Sequence, residues 1–170
     1  GVDWIYEDET PLKDHIRDGE FKLHRGDVPL ASVGAGLAYS MGINPRFVSP
    51  IEIYFPSRTR RLSMANPISS IESIKVWPSS IFSVNNEVDA ELMILPIEKM
   101  RELLEYDDEV SAVEIRLAEG TDGKELKRLQ KEISTMLGPD FKVKDRFQQN
   151  ESLYKMMGYE MAAIYMILIF

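Results

Sequence analysis

The sequence is 170 residues long and carries 28 acidic against 20 basic side chains, which gives a net charge of −8. This balance disfavours binding to nucleic acid and non-specific attraction to anionic lipid, because both need a basic face. The absence of cysteine excludes disulfides, thiolate metal ligands and a thiol nucleophile within these residues.

The first half of the chain changes from polar sequence to a strand-like pattern. Residues 1–27 are polar and acidic, so we predict a loop with a helical turn at 13–17, an extended stretch at 20–23 and no core element. Alternation in 51–55 predicts a strand. Residues 28–84 are predicted to be β-rich, with strands that end at prolines. The further apolar positions are Ile71, Ile74, Val76, Phe82 and Val84, and the prolines that separate the strands are Pro56, Pro67 and Pro78.

From residue 92 the pattern alternates between strand and helix. We predict a short buried strand at 92–95 and a helix that starts at Pro96. A half-buried strand follows at 113–117, then a helix that Asp122 and Glu125 cap and Gly138 ends. A last strand begins at 141–143. The order β-α-β-α-β predicts a small sheet covered by two helices.

The C-terminal residues 161–170 carry no charge. A membrane span needs about 20 apolar residues, so we interpret this run as the start of a transmembrane helix in a piece of a longer protein. Asn150 is the predicted cap of a final helix that contains a candidate coupling segment: Leu153, Met156, Met157, Gly158 and Met161. The alternative is a C-terminal helix docked on the domain or on a second copy. Apolar sequence after Phe170 would favour the span, and polar sequence the docked helix.

No motif in the chain predicts catalysis, a cofactor or a metal site. The glycine-containing stretch that starts at Gly34 resembles a dinucleotide fingerprint, but Tyr39 occupies the third small position and no acidic residue ends a second strand about 20 positions on, so a nucleotide site is disfavoured. His15 and His24 lie in polar sequence without a ligand set, which favours surface histidines. The carboxylates form solvated runs, and no serine lies in a nucleophile elbow.

The basic cluster Arg58, Arg60 and Arg61 stands out in an acidic chain. Its position between candidate strands favours a solvated hairpin tip. The functional alternative is contact with an acidic partner surface or a lipid head group, for which guanidinium groups are suited. Trp77 is a second candidate contact, although a tryptophan in a strand is more often part of the core.

Four segments in a fixed order resemble the extracytoplasmic domain of MacB/FtsX-like ABC-transporter permeases, and most closely the lipoprotein-releasing branch. They are DVPLASVGAGLAYSMGI (27–43), FSVNNEVDAELMILPIEKMRELL (82–104), VSAVEIRL (110–117) and NESLYKMMGYEMAAIYMILIF (150–170). The resemblance covers nearly the whole chain, but no segment is diagnostic by itself. Two departures are the absence of the strand-helix unit that the family places before Gly1 and the presence of Met161 where a basic residue is common.

The resemblance implies an α+β fold with three parts. A porter-like lobe (1–27 and 85–149) is interrupted by a β-rich lobe (28–84), and a stalk helix (150–170) leads into the membrane. It also implies a non-catalytic domain on the periplasmic side of the inner membrane. The implied partners are a cytoplasmic ATPase, a second permease copy, and a lipoprotein, peptide or small-molecule cargo. The competing hypothesis is a stand-alone ligand- or protein-binding module with a hydrophobic dimerisation helix.

Overall fold

The chain forms a mixed α+β structure, as predicted. A computed structural model describes residues 1–46, 49–60, 70–118 and 120–149. Its contacts divide the chain into two compact units, Gly1–Ser111 and a second one that begins at Ala112. Most of the secondary structure described lies in the first unit.

The elements of the first unit follow one another closely. They are α1 (Ile5–Glu9), a 3-10 turn (Pro11–His15), β1 (Ile16–Gly19), β2 (His24–Arg25), β3 (Val28–Gly34), α2 (Ala35–Met41), β4 (Ile51–Pro56), β5 (Ile71–Phe82), α3 (Asn86–Glu91), β6 (Met93–Ile94) and α4 (Ile97–Leu104). The second unit contains α5 (Gly123–Leu137) and α6 (Arg146–Gln149). The strands predicted at 51–55 and 92–95 are confirmed, as are the helices after Pro96 and Asp122.

The described strands form one mixed sheet with β5 at its centre. The order is β1-β5-β3-β2, with β4 also paired to β5 and β6 to β3. The pairing of β3 with β5 is parallel, and the other strand pairings are antiparallel. The first half of β5 pairs with β4 and the second half with β1 and β3. Because β3 pairs with β6, the sheet contains strands from both predicted lobes.

Pro78 does not end a strand, which corrects the prediction that the prolines separate the strands. It lies within β5, after the last pair with β4 (Val76 with Ile51) and before the first pair with β1 (Ser80 with Gly19). The parallel register with β3 also shifts beside it. Pro78 is registered opposite Ala31 of β3, and the shift follows directly after this pair. Proline inside a sheet is tolerated at such an irregularity, where the regular ladder is already interrupted.

The buried residues form two clusters. The first packs α2 and α4 against the sheet: Ala31, Val33, Ala38, Ile51, Ile74, Val76, Leu95 and Leu103. The second is Leu12, Phe21, Leu23, Phe82 and Ile94. Ile81 packs on the first cluster and Phe82 belongs to the second. Since successive side chains of a strand point to opposite faces, the two clusters lie on opposite sides of β5.

The N-terminal residues supply core side chains, contrary to the prediction of no core element there. Leu12, Phe21 and Leu23 are buried, and the Tyr6 and Phe21 rings lie 6.2 Å apart. The Leu23 N–H donates to Glu7 at 2.8 Å. Phe21 and Leu23 alternate with Lys22 within the stretch predicted to be extended, but this run is shorter than the roughly four residues needed to predict a half-buried strand.

The strands predicted at 113–117 and 141–143 are absent. Both stretches are described and neither joins a β-ladder. Val113 is 76% exposed, Ile115 55% and Phe141 60%. A strand needs a hydrogen-bonded neighbour as well as alternating side chains, and within the described residues no strand lies beside either stretch. The predicted β-α-β-α-β sheet at 92–144 is therefore wrong, although its two helices form.

Candidate functional site

The basic turn that follows β4 is held by the end of α4. Residues 57–60 form the turn, and Glu105 is the C-cap residue of α4. Glu105 has φ 53° and ψ 45°, in the left-handed region. Within the described part of the chain it is the one non-glycine residue with positive φ. Helices commonly end with glycine in this conformation, so a glutamate here needs a compensating interaction.

The Glu105 carboxylate provides that interaction by accepting hydrogen bonds from three successive residues of the turn. Oε2 accepts from the Ser57 hydroxyl at 2.8 Å, the Arg58 N–H at 2.6 Å and the Thr59 N–H at 3.1 Å. Oε1 accepts from the Thr59 hydroxyl at 2.6 Å. Main-chain N–H groups that converge in this way form a nest for an anion. The turn is therefore an anion-binding concavity that the chain fills with its own carboxylate.

These hydrogen bonds stabilise the ionised form of Glu105. The Thr59 hydroxyl has the largest effect, and Ser57 and the two N–H groups add to it. Together they lower the pKa of Glu105 from 4.5 to about 2, although desolvation opposes them. A depressed carboxylate pKa means that the stabilisation is complete above the unfolded pKa and is lost as pH falls through the folded value.

We therefore expect acid to release the turn. The thermal midpoint of wild type should exceed that of Glu105→Gln at neutral pH, and the difference should shrink between about pH 4.5 and about pH 2. Scanning calorimetry over this range measures it. Glu102→Gln is the matched control, since Glu102 lies on the same helix and pairs with Lys99. A difference for Glu105→Gln that does not change with pH would contradict the assignment.

The candidate contact residues are engaged differently from one another. The Arg58 guanidinium lies 4.2 Å from the centre of the Tyr106 ring, a cation-π distance. Arg60 Nη2 lies 2.6 Å from Glu72 Oε1. Trp77 is half-buried in β5, opposite Leu30, and is thus not part of the turn. Arg61 lies outside the described residues.

The candidate coupling segment also lies outside the described residues: Leu153, Met156, Met157, Gly158 and Met161. Its helix therefore remains a prediction. The described chain before it ends in the short helix α6.

The glycine-containing stretch at Gly34 packs helix α2 against α3. A Cβ on Gly34 would lie 2.5 Å from the Asp89 carbonyl oxygen, and a Cβ on Gly36 would lie 3.1 Å from the Ala90 Cα. Both glycines thus permit close contact between backbones. This close contact with α3 gives the two glycines a packing role.

Asp89 is a buried carboxylate that organises the loop before α3. It accepts hydrogen bonds from the Ser83 hydroxyl at 2.7 Å and the Val84 N–H at 2.8 Å. Burial alone raises the pKa of Asp89, but these bonds, the Asn85 N–H and the charge of Arg17 outweigh it, so the pKa is lowered. The group is held as an anion. A general acid at neutral pH needs the opposite shift.

The histidines are surface residues. His15 and His24 are exposed, and His24 Nε2 lies 2.5 Å from Glu98 Oε1 on α4. Over the stretches 1–46, 49–60, 70–118 and 120–149, histidines and carboxylates do not gather in threes in a way that suits a metal ion.

Comparison of the chain with protein-family models and with curated proteins finds no match. Among the helices that the structure describes, none combines the length and apolarity needed to cross a bilayer. The run at 161–170, which is predicted to enter the membrane, is not among these helices because it lies outside the described residues.

Sequence reasoning missed the role of Glu105. The carboxylates were interpreted only as solvated runs, and the arginines as part of a solvated hairpin tip. Their contacts join residues 46 to 48 positions apart, so no local period reports them. The available signal was the position of Glu105 directly after the last apolar residue of a predicted helix, where glycine is usual.

Proposed function

We propose that this chain is the extracytoplasmic domain of an ABC-transporter permease of the MacB/FtsX-like type, close to the lipoprotein-releasing branch. The observation that carries the proposal is the order of the four family-like segments, which ends in the uncharged run at 161–170. In this function the domain relays ATP-driven motion and contacts cargo or partner proteins. It performs no chemistry, and a separate cytoplasmic subunit or domain hydrolyses ATP.

The packing of the first two family-like segments supports this proposal. Segment 27–43 contains β3 and α2, and segment 82–104 contains α3, β6 and α4. They meet where β6 pairs with β3 and where Gly34, at the end of β3, and Gly36, in α2, approach α3. Two of the four family-like segments thus pack against each other within the first unit, which a chance set of weak similarities does not require.

The proposed partners follow from this assignment. A second permease copy and the ATPase act in the membrane and cytoplasm, and the cargo is a lipoprotein, a peptide or a small molecule. Arg58 and Arg60 are exposed and remain candidate contacts for an acidic surface of a partner. A helix over residues 151–170 would span about 30 Å, which is long enough to carry a displacement from the bilayer to the domain.

Two prolines at Met156 and Met157 in the complete permease test the relay. Proline inside a helix removes hydrogen bonds and kinks it, so export should fail while ATP hydrolysis continues. The matched control replaces both residues with alanine, which keeps the helix and should retain export. Unimpaired export by the proline variant would overturn the relay.

A further inference from the structure

The turn at 57–60 already holds a carboxylate, which identifies the chemistry that it recognises. Two main-chain N–H groups and two hydroxyls converge on the Glu105 oxygens at 2.6 to 3.1 Å. The Arg58 and Arg60 side chains add positive charge to the same turn. A planar anion with two oxygens satisfies this donor set.

Contacts that do not involve Glu105 also shape the turn. The Ser57 N–H donates to the Ser70 carbonyl at 2.8 Å, and the Arg60 N–H donates to the Ser57 hydroxyl oxygen at 3.1 Å. Arg60 is paired with Glu72 on β5. Part of the turn is therefore held by contacts other than those of Glu105, which favours a preorganised site.

Binding of the Glu105 carboxylate to the turn is accompanied by backbone strain at Glu105. Glu105 adopts a left-handed backbone that a β-carbon disfavours, and such local strain often marks functional positions. A competing anion would allow this residue to relax. Arg58 and Thr59 are exposed, so a competitor in solvent can approach the donors.

We propose that the turn at 57–60 is a carboxylate-binding site in which Glu105 is an internal ligand that external carboxylates displace. The external carboxylate belongs either to a small molecule or to an acidic side chain of a peptide. The inference does not depend on the permease assignment. Because a tethered ligand competes at high effective concentration, wild type should bind external carboxylates weakly.

Removal of the internal ligand tests the site. In the 170-residue chain, Glu105→Gly deletes the carboxylate and suits the left-handed backbone. The probes are acetate and a short peptide that has one glutamate, an acetylated N-terminus and an amidated C-terminus. Binding is followed through the amide resonances of Arg58 and Thr59. We expect both variant resonances to shift on saturation, with affinity about tenfold or more above wild type. If acetate binds as tightly as the peptide, the ligand of the site is a small carboxylate. If the peptide binds more tightly, the ligand is an acidic side chain of a peptide.

Three comparisons make the test decisive. Glu105→Asn, which also tolerates the left-handed backbone, replaces the glycine variant if that variant does not fold. Glu102→Gln controls for the loss of one negative charge on α4 and should bind as wild type does. A matched peptide with glutamine should not bind. Three results would each overturn the proposal. One is no gain in affinity for carboxylates in either Glu105 variant. The others are binding of the glutamine peptide as tight as that of the glutamate peptide, and binding of methyl phosphate tighter than that of acetate.

Discussion

Replacement of Phe82 with alanine should lower the free energy of unfolding by about 3 to 5 kcal/mol, the usual cost of removing a buried phenylalanine side chain. Phe82 is fully buried at the end of β5. It contacts the cluster that anchors the N-terminal residues, which includes Leu12, Phe21 and Leu23. The loss should therefore loosen the N-terminal segment as well as the sheet.

Urea denaturation followed by tryptophan fluorescence measures this effect. Trp4 and Trp77 are the only tryptophans of the sequence, and both lie in the unit Gly1–Ser111. Phe141→Ala is the matched control, because Phe141 is 60% exposed and belongs to the second unit. The control should change the free energy of unfolding by about 0.5 kcal/mol or less. Equal losses in the two variants would contradict the described core.

A methyl group at Gly34 should also destabilise the protein, by about 1 to 3 kcal/mol. The backbone of Gly34, with φ −62° and ψ 143°, is accessible to alanine. Conformational strain is thus excluded as a cause. The cost arises because the new Cβ would lie 2.5 Å from the Asp89 carbonyl oxygen and 2.8 Å from the Asp89 Cα. Helix α3 must move to relieve this overlap.

Gly123→Ala is the control for Gly34→Ala, because it also replaces a glycine with alanine but creates no close contact. Gly123 is the first residue of α5, and a Cβ there would meet no atom within 4 Å. The substitution should be neutral or slightly stabilising, by up to about 1 kcal/mol. Thermal unfolding followed by circular dichroism compares the two variants. If Gly34→Ala were as stable as Gly123→Ala, the close contact between Gly34 and α3 would be wrong.

Local signals predicted the elements whose boundaries the sequence itself encodes. The side chain of Asp122 accepts from the N–H groups of Lys124 and Glu125, and α5 ends before Gly138. Such caps involve neighbours only three residues apart, so they can be read directly. Alternation likewise identified β4, whose partner β5 is present to complete the ladder.

Features that depend on distant partners were not predictable in the same way. The stretch 113–117 alternates as regularly as β4 does, yet it joins no ladder among the described residues. Phe21 and Leu23 are buried, although their alternation with Lys22 is too short to predict a core element. The turn that binds Glu105 depends on a tertiary contact and on a backbone conformation unusual for glutamate. These outcomes follow from tertiary packing, which overrides local pattern.

The most direct test of the proposed permease domain is the side of the membrane on which it lies. These 170 residues contain no cysteine, so in a complete protein whose other cysteines, where present, are replaced by serine, Tyr39→Cys introduces a single thiol at a site that is 93% exposed in the first unit. Ala38→Cys, at a neighbouring site that is 2% exposed, is the matched control. The complete protein is treated with a membrane-impermeant maleimide in intact spheroplasts. We expect labelling of Tyr39→Cys and little labelling of Ala38→Cys. Labelling of Tyr39→Cys only after lysis would contradict an extracytoplasmic domain.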